Sequence, residues 1–329
     1  MIDRRTFLCG LTLWTLSAPL AVEAQPAGKV WRIGVLTSAA CPDEAGPPLR
    51  MLSEGLRERG HTVGKTVVFE CQRSDEGSEV RFRELAADLV RLKVDLIIGV
   101  SSAATRALRT ATKTIPIVAL DSETDPVASG LASSLAKPGG NITGIFLDAP
   151  EISGKRLQLL KEAVPRLSRV VALWDASTDP TPLRATETAA RSLGLHLRTV
   201  TIRSPKDLEG AFRTAAKEQA DGVVLLGSAL MRFHLARIVD LALQRRLPTI
   251  AHFPHWAQDG VLMSYGPDLG LLYRQAASFV DRILKGAVPG ELPIERPIKF
   301  ELVINLKTAK ALGLTIPPSV LGRADRVIE

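Results

Sequence analysis

The chain has no phosphate-binding loop. Neither GxxxxGK nor a GxGxxG after its first strand-like run is present, so nucleotide chemistry has nothing here to carry it. It also lacks a basic stripe. The formal charge of +7 is spread along the sequence, and groupings such as Gln244 to Arg246 read as solvated helix faces rather than a nucleic-acid surface. After Val22 no apolar run approaches the roughly 20 residues that a membrane-spanning helix needs. Histidine is scarce at five. His252 and His255 stand three apart with Pro254 between them and no third ligand nearby, so neither a metal centre nor any other cofactor is expected. Cysteine is scarcer still at three: Cys9, Cys41 and Cys71.

The N-terminus carries an address. Arg4 and Arg5 precede an apolar stretch, Phe7 to Val22, that Thr12, Thr15, Ser17 and Pro19 interrupt. Such a stretch spans a membrane poorly and suits a cleavable signal, with small residues Val22 and Ala24 before a cut at Gln25. "RRTFL" resembles the twin-arginine signal, whose pathway exports folded proteins, the alternative being an ordinary secretory signal. Residues 1–24 are therefore expected to be removed, and the mature chain to be periplasmic. Cys9 leaves with the signal. Cys41 and Cys71 then meet an oxidising compartment, where a disulfide and two isolated thiols are both open.

The remaining 305 residues alternate short β-branched runs with amphipathic helical stretches, the pattern of βαβ units around parallel sheets. "WRIGVL", "TVVFEC", "DLIIGV", "IPIVAL" and "NITGIFL" are five predicted strands. After the helix "SGKRLQLLKEAVP" the layout starts afresh with "RVVALWD", "LHLRTVTI", "DGVVLLG" and "LPTIAHF". The fold class expected is α/β, with two Rossmann-like lobes, a central cleft and a hinge. The first lobe is placed at 25–147 plus 267–288 and the second at 148–266 plus 289–329, with crossings near Asp148, Gly266 and Pro289. Prolines in "GAVPGELPIERPIKF" disfavour helix and suit an extended crossing.

Ligands of open parallel sheets bind beyond the carboxyl ends of the strands, where helix N-termini present free N–H groups. The loops there are small and polar. They nominate Thr37, Ser38, Ser101, Ser102, Asp121 and Asp125 from one lobe, and Asp175, Ser228 and His252 from the other. Ser101 and Ser102 would hold a carboxylate or similar anion, though a serine there also caps a helix. Asp121, Asp125 and Asp175 would take an ammonium group, or serve as turn residues. Phe146, Trp174, Phe253 and Tyr265 would supply apolar wall or core. "GVSSA" also imitates a nucleophile elbow, with Asp175 and His252 or His255 in hydrolase order, but Ala103 stands where the elbow's last glycine belongs.

Four stretches go beyond pattern: "GLASSLAKPGGNITG", "SGKRLQLLKEAVP", "VLMSYGPDLGLLYRQAASFVDRILKGAVPGELPIE" and "KFELVINLKTAKALGLTIPPSVLGRAD". They resemble the ABC-transporter substrate-binding family whose better-understood members bind tryptophan or related aromatic amino acids. That resemblance implies a type I-like periplasmic-binding-protein fold in a monomer that captures a small-molecule solute by closure. It also implies delivery to a membrane permease driven by a cytoplasmic ATPase, without catalysis or nucleic acid. Ser101, Ser102 and Asp125 match cleft positions of the family. Two departures stand out: Val261 follows Gly260 where relatives have a second glycine, and Cys71–Gln72 replaces a tyrosine and an arginine. A two-lobed sensor feeding a membrane signalling protein is the next alternative, and an exported serine hydrolase the last.

Overall fold

A computed structural model describes residues 29–38, 41, 47–74, 78–121, 124–147 and 150–329. The export signal expected at 1–24 and the crossing expected near Asp148 lie outside the described residues.

The predicted alternation appears as two sheets. The first half contains β1 (Trp31–Thr37), α1 (Pro47–Arg57), β2 (Val67–Arg73), α2 (Glu79–Arg91), β3 (Leu96–Val100), α3 (Ser102–Ala111), β4 (Ile117–Asp121) and β5 (Ile142–Phe146). These strands form a fully parallel sheet in the order β2-β1-β3-β4-β5. The chain continues through α4 (Pro150–Ala163), β6 (Arg169–Asp175), α5 (Thr181–Ser192), β7 (His196–Ile202), α6 (Asp207–Lys217) and β8 (Gly222–Leu225). It then runs through α7 (Ala229–Phe233), α8 (Leu235–Gln244), β9 (Thr249–Ala251), β10 (Met263–Pro267) and α9 (Leu269–Leu284). The C-terminal part is β11 (Phe300–Asn305), α10 (Leu306–Leu312), α11 (Pro318–Leu321) and β12 (Arg326–Ile328). The second sheet has the order β12-β11-β10-β9-β8-β6-β7. It is parallel except where β11 runs against β10.

Central strands such as β4 and β5 are buried at every residue, as expected of parallel strands covered by helices on both faces. On one face of the first sheet, Ile33, Val35, Val118 and Leu120 pack against Leu52, Leu56, Phe279 and Val280 of α1 and α9. On the other, Phe82, Leu85, Ala104 and Leu108 of α2 and α3 meet Leu36, Ile97, Ala119 and Phe146. The second sheet is covered in the same way by α4, α5, α10 and α11 on one side and by α6 to α8 on the other. Each fully buried Leu, Ile or Phe contributes about 1.5–3 kcal/mol relative to exposure.

Gly144 shows why "NITGIFL" requires its glycine. Its φ is 136°, and a Cβ there would lie 2.2 Å from the Ala119 carbonyl oxygen on the neighbouring strand. No L side chain fits that approach.

Two features were absent from the sequence reading. One is β12, three residues that pair with β11. The other is the edge formed by the proline-rich stretch. Glu295 donates its N–H to Gly144 O at 2.9 Å and accepts from Phe146 N at 3.0 Å, while Thr143 Oγ1 donates to Leu292 O at 2.8 Å. This strip lies along β5, so the passage to the second sheet falls after Arg296, beyond Pro289.

Cys41 and Cys71 are bridged, with Cα atoms 5.9 Å apart and a separation of 30 positions in sequence. The bond ties the loop after β1 to β2. Closing a loop of that length stabilises by about 3–4 kcal/mol in the chain-entropy account. Replacing both cysteines by serine is therefore expected to lower unfolding free energy by up to about 3 kcal/mol. Urea denaturation of wild type and variant, each with and without reductant, checks this; reductant should move only the wild-type midpoint.

Candidate functional site

The strand order of the first sheet changes direction between β1 and β3, and that of the second between β6 and β8. These are the switch points where α/β sheets take ligands. Residues from both sheets meet across a cleft at their carboxyl ends. Arg106 of α3 donates from Nη2 to the Ser177 carbonyl oxygen, in the loop after β6, at 2.7 Å. The same Nη2 lies 3.3 Å from Glu79 Oε1 at the start of α2. Arg106 thus joins one lobe to the other.

Most of the nominated polar residues sit at this end, already engaged. Ser101 caps α3, its Oγ accepting from Ala104 N at 3.3 Å. Its backbone holds φ 107° and ψ 162°, a region that non-glycine residues occupy at a cost of about 1–3 kcal/mol. Ser102 and Thr37 are buried beside it, and Ser38 is half-buried. Asp121 is buried at the end of β4, and its Oδ1 accepts from Thr124 N at 3.1 Å. Asp125 Oδ1 accepts from Val127 N and Ala128 N, stabilising a turn. Asp175 Oδ1 accepts from Ser177 N and Oγ. Ser228 caps α7 through Met231 N at 3.1 Å. Phe146 is core, packed with the first lobe's interior. Tyr265 stacks on Phe300 with ring centres 5.9 Å apart.

A different set of atoms is unengaged. Trp174 Nε1 and His252 Nε2 of the second lobe are buried without a hydrogen-bond partner, as are Ser74 Oγ and Thr124 Oγ1 of the first. A fifth is Arg156 Nη2. Buried polar atoms are nearly always paired, and three of these five, on Arg156, Trp174 and His252, line the same pocket. Arg156, Trp174, Thr178, Asp179, Pro182, Leu226, Gly227 and His252 line a small pocket of about 20 Å³ that opens to solvent. Gly227 makes room for the imidazole: a Cβ there would fall 1.3 Å from His252 Cε1.

Arg156 was missed by the sequence reading. Ser153, Leu157, Leu160 and Ala163 form the buried stripe of α4, and Arg156 lies on it. A cation on an apolar helical stripe was the available signal.

His252 and His255 are both uncharged at neutral pH. Burial disfavours the imidazolium of His252 and pushes its pKa well below 6.5, an effect that Arg156 and then His255 reinforce. Burial, and after it Arg232, brings His255 down to about 4. Among the described residues no three His, Cys, Asp or Glu side chains gather as a metal site. Ser101, Asp175 and His252 make no hydrogen bond to one another, so the hydrolase constellation considered for them is not assembled.

Residues 49–328 match the family model described as ABC transporter substrate binding protein. The chain belongs to that family. It is 25% identical over 263 residues to the tyrosine-binding protein of Clostridioides difficile (strain R20291), covering 79% of this chain and 75% of the relative. The structure is similar to the ABC domain in complex with L-Trp from Streptococcus pneumonia, with a TM-score of 0.82 and 26% identity over 91% of this chain and all of that one. A conserved domain protein from Vibrio cholerae matches with the same score, identity and coverage. The two lobes have the architecture of type I periplasmic binding proteins. Family members are extracytoplasmic solute-binding proteins rather than enzymes, and no helix among the described residues is long and apolar enough to cross a membrane.

The histidines generate a pH prediction. Their folded pKa values lie below the unfolded 6.5, so the unfolded chain binds more protons in acid. Their contribution to stability is full above about pH 6.5 and is lost as pH falls toward 4. Urea midpoints measured across that window should fall less steeply for a His252→Gln/His255→Gln variant than for wild type.

Proposed function

We propose that this chain is the extracytoplasmic solute-binding component of an ABC importer, and that it captures an amino acid or related small carboxylate between its lobes by hinge closure. The observation that carries this reading is the set of buried, unpartnered polar atoms of Arg156, Trp174 and His252 that line one pocket at the carboxyl end of the second sheet. A relative named for tyrosine and another bound to L-Trp support an aromatic amino acid. Export as a folded protein by the twin-arginine route, removal of residues 1–24 and a monomeric state complete the proposal.

The mechanism is a biased equilibrium. Only the closed arrangement lets both lobes contact the solute, so binding favours closure by its differential affinity for that state. Arg106 acts as a latch in this scheme, since its bond to the Ser177 carbonyl exists only when the lobes are close. A membrane permease would then read the closed shape.

A thermal-shift screen tests the proposal on protein unfolded and refolded to strip carried-over ligand. The panel holds aromatic and branched amino acids, aromatic acids, short carboxylates and sugars. A ligand at about 100 times its dissociation constant stabilises by roughly 2.7 kcal/mol. The expected result is a shift with tryptophan, tyrosine or phenylalanine. A response confined to sugars would discard the amino-acid reading and keep the receptor.

The latch has its own test. Arg106→Ala removes one interlobe hydrogen bond worth about 0.5–1.5 kcal/mol. Titration calorimetry should find solute affinity weakened by roughly two- to tenfold, with the folded state otherwise unchanged in stability.

A further inference from the structure

Arg156 is a buried cation with no anion beside it. Its Nε donates to the Tyr265 carbonyl oxygen at 2.8 Å, which occupies one edge of the guanidinium. Nη2 has no partner. The side chain is only slightly exposed, at 6% for the whole residue, and burial brings its pKa down to about 9, which leaves it charged at neutral pH. The one carboxylate among the residues lining the pocket is Asp179. Asp179 is turned to its own loop, where Oδ1 accepts from Thr181 N at 2.8 Å. An uncompensated buried charge is among the most unfavourable features a fold can carry. Its retention points to a counter-ion that arrives with the ligand.

Two further donors face the same pocket. Trp174 Nε1 can only donate, and it is buried without an acceptor. His252 Nε2 is likewise unpartnered, and the neutral imidazole would be a third donor in the tautomer that carries its N–H on Nε2. Three donors, with the pocket's one carboxylate turned to its own loop, suit an oxyanion. We propose that Arg156 is the receptor for the solute's carboxylate, with Trp174 Nε1 and His252 Nε2 as its flanking donors. The assignment rests on the solute-binding reading above and deepens it. It places the anionic end of the solute on the second lobe, against α4, rather than on Ser101 and Ser102.

The experiment pairs acids with their decarboxylated counterparts. L-tryptophan, L-phenylalanine and 3-phenylpropionate are titrated against refolded wild type, alongside tryptamine and phenethylamine, by calorimetry and thermal shift. The acids are expected to bind and the amines to be silent. Arg156→Met should weaken acid binding about 100-fold or more. Without ligand, the same variant should melt at or above the wild-type temperature, because it removes a buried charge. Arg156→Lys keeps the charge but not the fork, and should recover part of the affinity.

Amines binding as tightly as acids would overturn the assignment. So would Arg156→Met binding acids within about threefold of wild type, or wild type ignoring every acid. A lowered melting temperature in Arg156→Met with acid binding intact would mark a purely structural arginine. If 3-phenylpropionate binds through Arg156 and no amino acid does, the carboxylate receptor stands and the amino-acid solute falls.

Discussion

The pairing of β10 with β11 holds the molecule together as a two-lobed body. Between those neighbouring strands the chain leaves the second sheet, lays α9 on the first, and returns. Met263 to Pro267 run opposite Ile304 to Phe300. Just beyond, Asp268 N donates to Lys299 O at 3.0 Å, so the outgoing and incoming segments are bonded to each other where they cross. Side-by-side crossing segments can bend together, but they cannot slide past one another without breaking that ladder. In the proposed closure, relative motion of the lobes would be channelled into rotation, the geometry of a hinge. The strip at Leu292 and Glu295, bonded along β5, anchors the returning segment to the first lobe before it crosses.

The cleft that this hinge spans holds the unfavourable features of the fold. Ser101 occupies a glycine-like backbone conformation, Arg156 keeps a charge in the interior, and Trp174 and His252 leave donors unmatched. Elsewhere the helix caps are satisfied by Ser78, Ser228, Asp268 and Asn305 in the ordinary way. Natural proteins place such exceptions at functional sites and offset them with the packing of the surrounding core. The two-sided cores under each sheet supply that offset here. They also fix the strand ends from which the proposed donors extend, and a donor set held in place before binding would cost little ordering.

Much of the architecture was readable along the chain. Buried parallel strands appear as β-branched runs, and the nine runs from Trp31 to Phe253 picked out as strands all contain strands in the structure. The reason is local: a strand covered on both faces must be apolar at nearly every position, whatever its neighbours. By contrast, β12 is exposed at Arg326 and Val327, so it carries no such run and escapes notice. At the cleft, residue type points to the strand-end loops but does not distinguish roles within them. Ser101, Asp125, Asp175 and Ser228 look alike whether they cap a turn or grip a ligand, and only their hydrogen-bond partners tell which.

What the sequence by itself determined is the succession of elements and the family, because periodicity and motifs report local conformation. Tertiary structure alone decided the rest. Cys41 and Cys71 bond because parallel pairing of β1 and β2 brings their loops to 5.9 Å between Cα atoms. Arg156 became a buried charge because α4 turns that face onto the second sheet, and His252 fills the hollow over Gly227 because β8 and β9 are neighbours. Those outcomes depend on which residues meet across the fold, and no spacing along the chain encodes them.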